Sequence, residues 1–190
     1  MSSVQSPMLS RTVSPSSRSV QSTPPVFRQT IVVCNRQGRE EAFTIGPDGH
    51  VWCFFPDAAD TEFADYSLAS LGMPADHLTV ARDAFGCLVV IAVKGLSVCY
   101  RVENETAEGA RAVNPPARWS EVGYAPLPAI TGAVSVRRVF TQNDCGLRVA
   151  AIIDVQDEPG HSAFTMAYCQ WKVNGTNAFR TSLSASKRAL

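Results

Sequence analysis

The sequence predicts an all-β fold, and three observations carry that expectation. Short runs rich in β-branched and aromatic residues recur from residue 29 onward, glycine- and proline-bearing turns separate them, and only residues 61–71 offer a short helix. The first runs are 30–34, 41–45 and 51–55, and Gly46-Pro47-Asp48-Gly49 joins the second to the third as a hairpin turn. Next come 78–82, 88–93 and 97–102, with Lys94-Gly95 as the tight turn. The last are 133–140, 147–155 and 163–171. Irregular stretches lie between the sets at 56–76 and 103–130, the latter holding Pro115, Pro116, Pro126 and Pro128. Alternation along the runs predicts a core of Ile31, Val33, Phe43, Ile45, Val51, Val80, Val90, Ala92, Val98, Val136, Val149, Ala151 and Phe164.

The three sets read as one repeated unit. Aligning Gly38, Gly86 and Gly146 places a β run before each glycine and a second run after it. A third run then carries an aromatic residue: Trp52, Tyr100, or Tyr168 with Trp171. Cys53, Cys99 and Cys169 recur in that third run, and the spacing fits a repeat of roughly 40–50 residues with insertions.

Residues 38–52, Gly38-Arg39-Glu40-Glu41-Ala42-Phe43-Thr44-Ile45-Gly46-Pro47-Asp48-Gly49-His50-Val51-Trp52, resemble a blade of tectonin-type or similar lectin-like β-propellers. The shared order is glycine, apolar strand, Asp-Gly turn and apolar-aromatic strand. The second unit departs from it with Lys94-Gly95, and the third with a longer connection at 156–162. The resemblance implies a repeat architecture and binding of glycans or proteins between blades. Propellers use about four to eight blades, so three units imply a partial or dimer-completed β-propeller. A β-trefoil closes with three repeats, and an antiparallel β-sandwich or jelly roll fits the same runs without any repeat. These architectures stay open at this point.

Charge divides the chain into segments. Residues 1–39 carry five arginines and no acid, residues 172–190 carry four bases and no acid, and all 17 carboxylates lie between. With eight bases among them, the middle is net −9 and the two ends together are +9. Residues 1–28 hold nine serines and four prolines, a composition too poor in large apolar residues to form a core. The expected organisation is a disordered Ser/Pro/Arg-rich arm over 1–28, an all-β domain over 29–178 and a basic flexible tail over 179–190. Ser6-Pro7, Ser14-Pro15 and Thr23-Pro24 would suit a proline-directed kinase. The basic ends leave nucleic acid as a possible partner, although their charge density is low.

The longest apolar run, 87–93, is far below the ~18 residues of a membrane span. With no apolar signal segment at the start, the expected location is cytoplasmic; a mitochondrial matrix or virion location is the alternative. The six cysteines, Cys34, Cys53, Cys87, Cys99, Cys145 and Cys169, form no Cys-x-x-Cys pair and read as reduced, buried, small hydrophobes.

Catalytic signatures are missing. His50, His77 and His161 are far apart and lack metal-ligand spacing, and no phosphate-cradling loop or nucleophile motif occurs. Neither a metal nor a cofactor is expected, and the chain reads as no enzyme. Asp57, Asp60, Glu62 and Asp65 read as a solvated loop. The candidate ligand contacts are Trp119, which follows a proline pair, together with Asp48 and His50 in the hairpin turn.

The leading functional reading is a non-catalytic binding or assembly module recognising a glycan or a protein through its loops. It would act as a homo-oligomer or as the subunit of a complex. The alternatives are a small viral coat protein with an N-terminal arm and a β-sandwich shell domain, and a peripheral subunit of a large complex.

Overall fold

The computed structural model describes residues 27–56 other than 37, 66–104, 118–143, 146–158, 161–172 and 177–181. Most of the arm (1–26), the tail beyond 181, the acidic residues Asp57 to Asp65, Pro115, Pro116, Cys145 and the exposure of His161 lie outside the described residues. The fold is all-β, built as three successive antiparallel sheets of four strands. Sheet 1 holds β1 (Thr30–Cys34), β2 (Glu40–Ile45), β3 (His50–Pro56) and β4 (Tyr66–Pro74). Sheet 2 holds β5 (His77–Arg82), β6 (Leu88–Lys94), β7 (Ser97–Val102) and β8 (Gly123–Tyr124). Sheet 3 holds β9 (Ala133–Gln142), β10 (Arg148–Glu158), β11 (His161–Gln170) and β12 (Arg180–Thr181). Within each sheet, spatial order follows chain order.

The first turn of each unit has the same chemistry. Gly38, Gly86 and Gly146 take φ of 76°, 80° and 96°, in the left-handed region where a Cβ is disfavoured. Three residues earlier stands an Asx residue: Asn35, Asp83 and Asn143. The Asn35 Oδ1 accepts the Arg39 N–H at 3.0 Å, and the Asp83 Oδ1 accepts the Cys87 N–H at 3.0 Å. These bonds satisfy backbone donors at the end of the hairpin and fix the pairings Cys34↔Glu40 and Arg82↔Leu88.

Packing joins the sheets face to face, as in a sandwich made twice. β6 is buried at six successive positions, Leu88 to Val93. Its even-numbered side chains, Leu88, Val90 and Ala92, pack with Phe43, Ile45, Val51, Cys53, Leu71 and Met73 of sheet 1. Its odd-numbered side chains, Val89, Ile91 and Val93, pack with Val136, Val139, Val149, Ala151 and Ile153 of sheet 3. Each such burial contributes about 1.5–3 kcal/mol, so sheet 2 holds the stack together from its centre.

The first strands run side by side and in the same direction. The Gln29 side-chain amide, just before β1, bonds the backbone of Leu78 in both senses, at 2.9 and 3.0 Å. At the other end of the pair, Arg82 donates to the Cys34 carbonyl and, at 3.1 Å, to that of Asn35. β9 follows β5 in the same way: the Val136 N–H donates to the Gly95 carbonyl at 2.9 Å, and Asn143 to that of Arg82 at 3.1 Å.

The structure corrects three expectations. Residues 66–71 belong to strand β4, where Leu71 and Met73 are buried toward sheet 2, so the helix over 61–71 does not form in its described part. Phe164 is 48 % exposed, because the smaller Ala163, Ala167 and Cys169 take the inward register of β11. Cys34 is exposed, on the outward parity of β1. Beyond residue 178, Phe179 is buried and β12 pairs with β11.

Candidate functional site

Polar chemistry inside the stack concentrates in one ionic bridge between sheets 1 and 2. Glu41 on β2 has the inward parity of Phe43 and Ile45, and its side chain is only 1 % exposed. Glu103 directly follows β7 and forms an isolated antiparallel bridge with Trp119. Arg118 reaches both carboxylates, at 2.8 Å from Glu41 Oε1 and 2.5 Å from Glu103 Oε1. The Asn35 amide donates to Glu41 at 2.7 Å, and the Leu88 N–H donates to Glu103 Oε2 at 3.1 Å. Burial works against the charge on Arg118, but the two glutamates outweigh it and hold its pKa above the ordinary value. Burial also pushes the nearby Cys53 thiol far up, and Glu41 adds to the effect. Such a thiol is a poor nucleophile. Burial raises the Cys99 and Cys169 thiols as well.

Trp119 is corrected from a loop contact to a core residue. It is 5 % exposed, meets Phe43 edge-on at 5.7 Å between centroids, and has the Arg118 guanidinium 5.5 Å from its ring centre. Ladder bonds place it there: the Ser120 N–H donates to the Val102 carbonyl at 2.8 Å, and the Asn104 N–H to that of Arg118 at 2.9 Å. Residues 118–124 therefore continue along β7 as an interrupted fourth strand. Trp171 is likewise buried, edge-on to Tyr100 at 4.6 Å.

Asp48 and His50 stay at the surface, and the structure adds Trp52 to them. The Trp52 Nε1–H donates to both Asp48 carboxylate oxygens, at 3.0 and 3.2 Å. The His50 N–H donates to Asp48 Oδ1 at 3.1 Å. Gly46 makes room for the indole across the turn, since a Cβ there would lie 2.6 Å from the ring. The indole bond and then the His50 N–H lower the Asp48 pKa below its ordinary value. A carboxylate with a depressed folded pKa stabilises above its unfolded pKa, and the contribution is lost as pH falls through the folded value. The Trp52 indole proton, followed by NMR through an acid titration, is therefore expected to shift with a midpoint below about 3.9. The step should vanish in Asp48→Asn. A midpoint at or above that value would contradict the bond.

Among the described residues, several of the exposed large apolar side chains lie on the outer faces of sheets 1 and 3. On sheet 1, Val32 (58 % exposed), Ala42, Phe54 and Leu68 (48 %) line up across the four strands, with Tyr66 alongside and Phe27 edge-on to Phe54. On sheet 3, exposed Phe140 and Tyr168 flank the buried Ala150 in a row that ends at Arg180, half-buried Ile152 and Met166 stand beside Arg138, and Phe164 is exposed nearby. Scattered exposed apolar residues are ordinary; here they stand next to one another on neighbouring strands. The signal was present in the sequence, since β11 is apolar at both parities: Phe164, Met166 and Tyr168 on one, Ala163, Ala167 and Cys169 on the other.

No protein-family model matches the sequence, and no curated protein matches it. Among solved structures, an exo-β-1,3-galactanase from Clostridium thermocellum is similar over 82 % of this chain, with 12 % identity and a TM-score of 0.49. The match covers 34 % of that enzyme, so the chain spans about a third of its length. Among the described residues, no helix is long and apolar enough to cross a membrane.

Proposed function

We propose that this chain is a non-catalytic assembly module that meets other protein surfaces through the two apolar end faces of its sheet stack. The observation that carries this reading is the pair of exposed rows, Val32–Phe54–Leu68 on sheet 1 and Phe140–Tyr168 with Phe164 on sheet 3. A sheet face of this kind behaves as half of an interior, and covering it removes apolar area from water at about 25 cal/mol per Å². The test combines an apolar dye, anilinonaphthalene sulfonate, with sedimentation velocity across a dilution series of the full chain. Free faces bind the dye, and Leu68→Lys with Phe164→Lys abolishes the signal. Covered faces instead give a sedimentation coefficient that rises with concentration. A concentration-independent monomer that binds no dye would overturn the reading.

Glycan recognition is the second reading, and the Asp48–His50–Trp52 turn favours it. An indole held by an exposed carboxylate offers a stacking surface beside hydrogen-bonding groups. Binding on a glycan array that disappears in Trp52→Ala would support it; an array without signal would remove it.

A further inference from the structure

We propose that the outer face of sheet 3 binds single-stranded nucleic acid, stacking bases on its exposed aromatic rings and holding phosphates with the arginines around them. The inference goes beyond the assembly reading: nucleic acid on sheet 3 leaves the outer face of sheet 1 for protein.

The two outer faces differ in charge. The four strands of sheet 1 contain no lysine or arginine, and exposed Glu40 lies at the margin of its outer face. On sheet 3, Arg138 lies opposite Ile152, Arg148 opposite Gln142 and Gln170, and Arg180 opposite Tyr168. All three are exposed, and among the described residues none of them forms an ion pair. Arg148 donates instead to the neutral Gln170 amide, at 3.1 Å. Asp154, the acid among the described outward side chains, is matched by Arg137 at 2.7 Å. The strands of sheet 3 hold arginine and no lysine, and the guanidinium both forks onto phosphate oxygens and stacks on flat rings.

The rings between these charges are open. Phe140, Phe164 and Tyr168 are each between 39 and 48 % exposed, and none stacks on another aromatic ring among the described residues. Phe140 and Tyr168 flank Ala150 two strands apart, about 10 Å, and Phe164 lies four residues along β11 from Tyr168, about 13 Å. Each ring can therefore take its own base. The Tyr168 hydroxyl reaches Met166 Sδ at 3.8 Å, so that ring leans along β11 and turns a face to solvent.

Rings and arginines together select the ligand. A protein surface that covered the rings with apolar area would leave the arginines without anions. An acidic peptide would meet the arginines and offer the rings nothing flat. A duplex presents phosphates but keeps its bases stacked inside. A single strand supplies phosphates and unstacked base faces at once, and because every base has a flat face the binding tolerates sequence.

The experiment is fluorescence anisotropy of a labelled, mixed-sequence single-stranded oligonucleotide, as RNA and as DNA, titrated with the full 190-residue chain at low salt. Duplex DNA and anionic phospholipid vesicles serve as competitors. The expected result is binding of RNA, DNA or both that neither competitor displaces. Tyr168→Leu and Phe140→Leu keep apolar area and remove the ring, so each should weaken binding about 5- to 150-fold, whereas Tyr168→Phe should bind as wild type does. Arg148→Gln and Arg180→Gln should each make the slope of log K against log salt shallower by about 0.7, one phosphate contact on a single strand. Circular dichroism confirms folding, and Phe164→Leu repeats the ring test should either ring variant misfold. A chain that binds neither strand would overturn the proposal; if it still binds the apolar dye, the assembly reading stands with protein on both faces. Ring variants that bind like wild type would place the contact on the basic ends and overturn it. Displacement by duplex would show phosphate contact without stacking, and displacement by vesicles an anionic lipid surface; either result overturns it too.

Discussion

Replacing Arg118 by methionine is expected to destabilise the fold by about 3–5 kcal/mol. The guanidinium, 21 % exposed, is the cation shared by Glu41 and Glu103, whose side chains are 1 % and 8 % exposed. Without it, two carboxylates stay in an apolar seam facing one another, bonded among the described residues by the Asn35 amide and the Leu88 N–H. The cost comes from that uncompensated burial rather than from the attraction lost, because Coulomb gain and desolvation nearly cancel in an intact buried pair. A triple variant tests this account. Glu41→Met, Glu103→Leu and Arg118→Met together should regain part of the loss, since no charge is then buried. What they do not regain belongs to Asn35 and Leu88, at about 1–3 kcal/mol for each polar group left without its acceptor. Urea unfolding of the wild type and both variants measures these differences. An Arg118→Met protein within about 0.5 kcal/mol of wild type would show that solvent, not the seam, surrounds the bridge.

The first three strands of each sheet were legible because they combine β-branched runs with tight turns. The Gly46–Gly49 turn and the shared glycine at 38, 86 and 146 stand where those residues predict, while the second tight turn is Gly95-Leu96, one residue later than Lys94-Gly95, because Lys94 still pairs with Ser97. The fourth strand of each sheet was not legible. β8 and β12 are two residues each, and β4 carries Gly72, Pro74 and three exposed alternate positions, all marks of a sheet edge. Their place comes from pairing with a finished hairpin, which local pattern does not contain. Sheet 3 hid its orientation for a different reason. Both parities of β11 are apolar, so the larger set looked inward, whereas the structure turns Phe164 and Tyr168 out. The ionic bridge had one visible trace, Glu41 in register with Phe43 and Ile45. Its cation stands 77 residues away, beside prolines that suggest a loop. A charged residue at inward parity on an otherwise apolar strand is thus a signal worth pursuing, because burial obliges it to have a partner.

Trp119→Ala is expected to cost about 3–5 kcal/mol, the range for removing a large aromatic side chain from a close-packed core. Trp119 joins the two sheets where the bridge does: its ring is edge-on to Phe43 of β2, its backbone pairs with Glu103, and its neighbour Arg118 lies over its face. Alanine would leave a cavity between Phe43 and β7 and remove the ring that shields Arg118 from water. The bridge and the aromatic contact should therefore be coupled, with the loss in the Arg118→Met/Trp119→Ala double variant smaller than the sum of the single losses. Chemical denaturation of the four proteins in the cycle gives the coupling directly. A surface contact residue would behave otherwise: alanine there changes stability by no more than about 0.5 kcal/mol and acts on binding alone. Trp52 provides that comparison within the same sheet. Its indole lies across an exposed turn and bonds Asp48, so Trp52→Ala should leave the unfolding midpoint far less changed than Trp119→Ala. The reverse order would place the seam between sheets 1 and 2 elsewhere than at Phe43, Glu41 and Trp119.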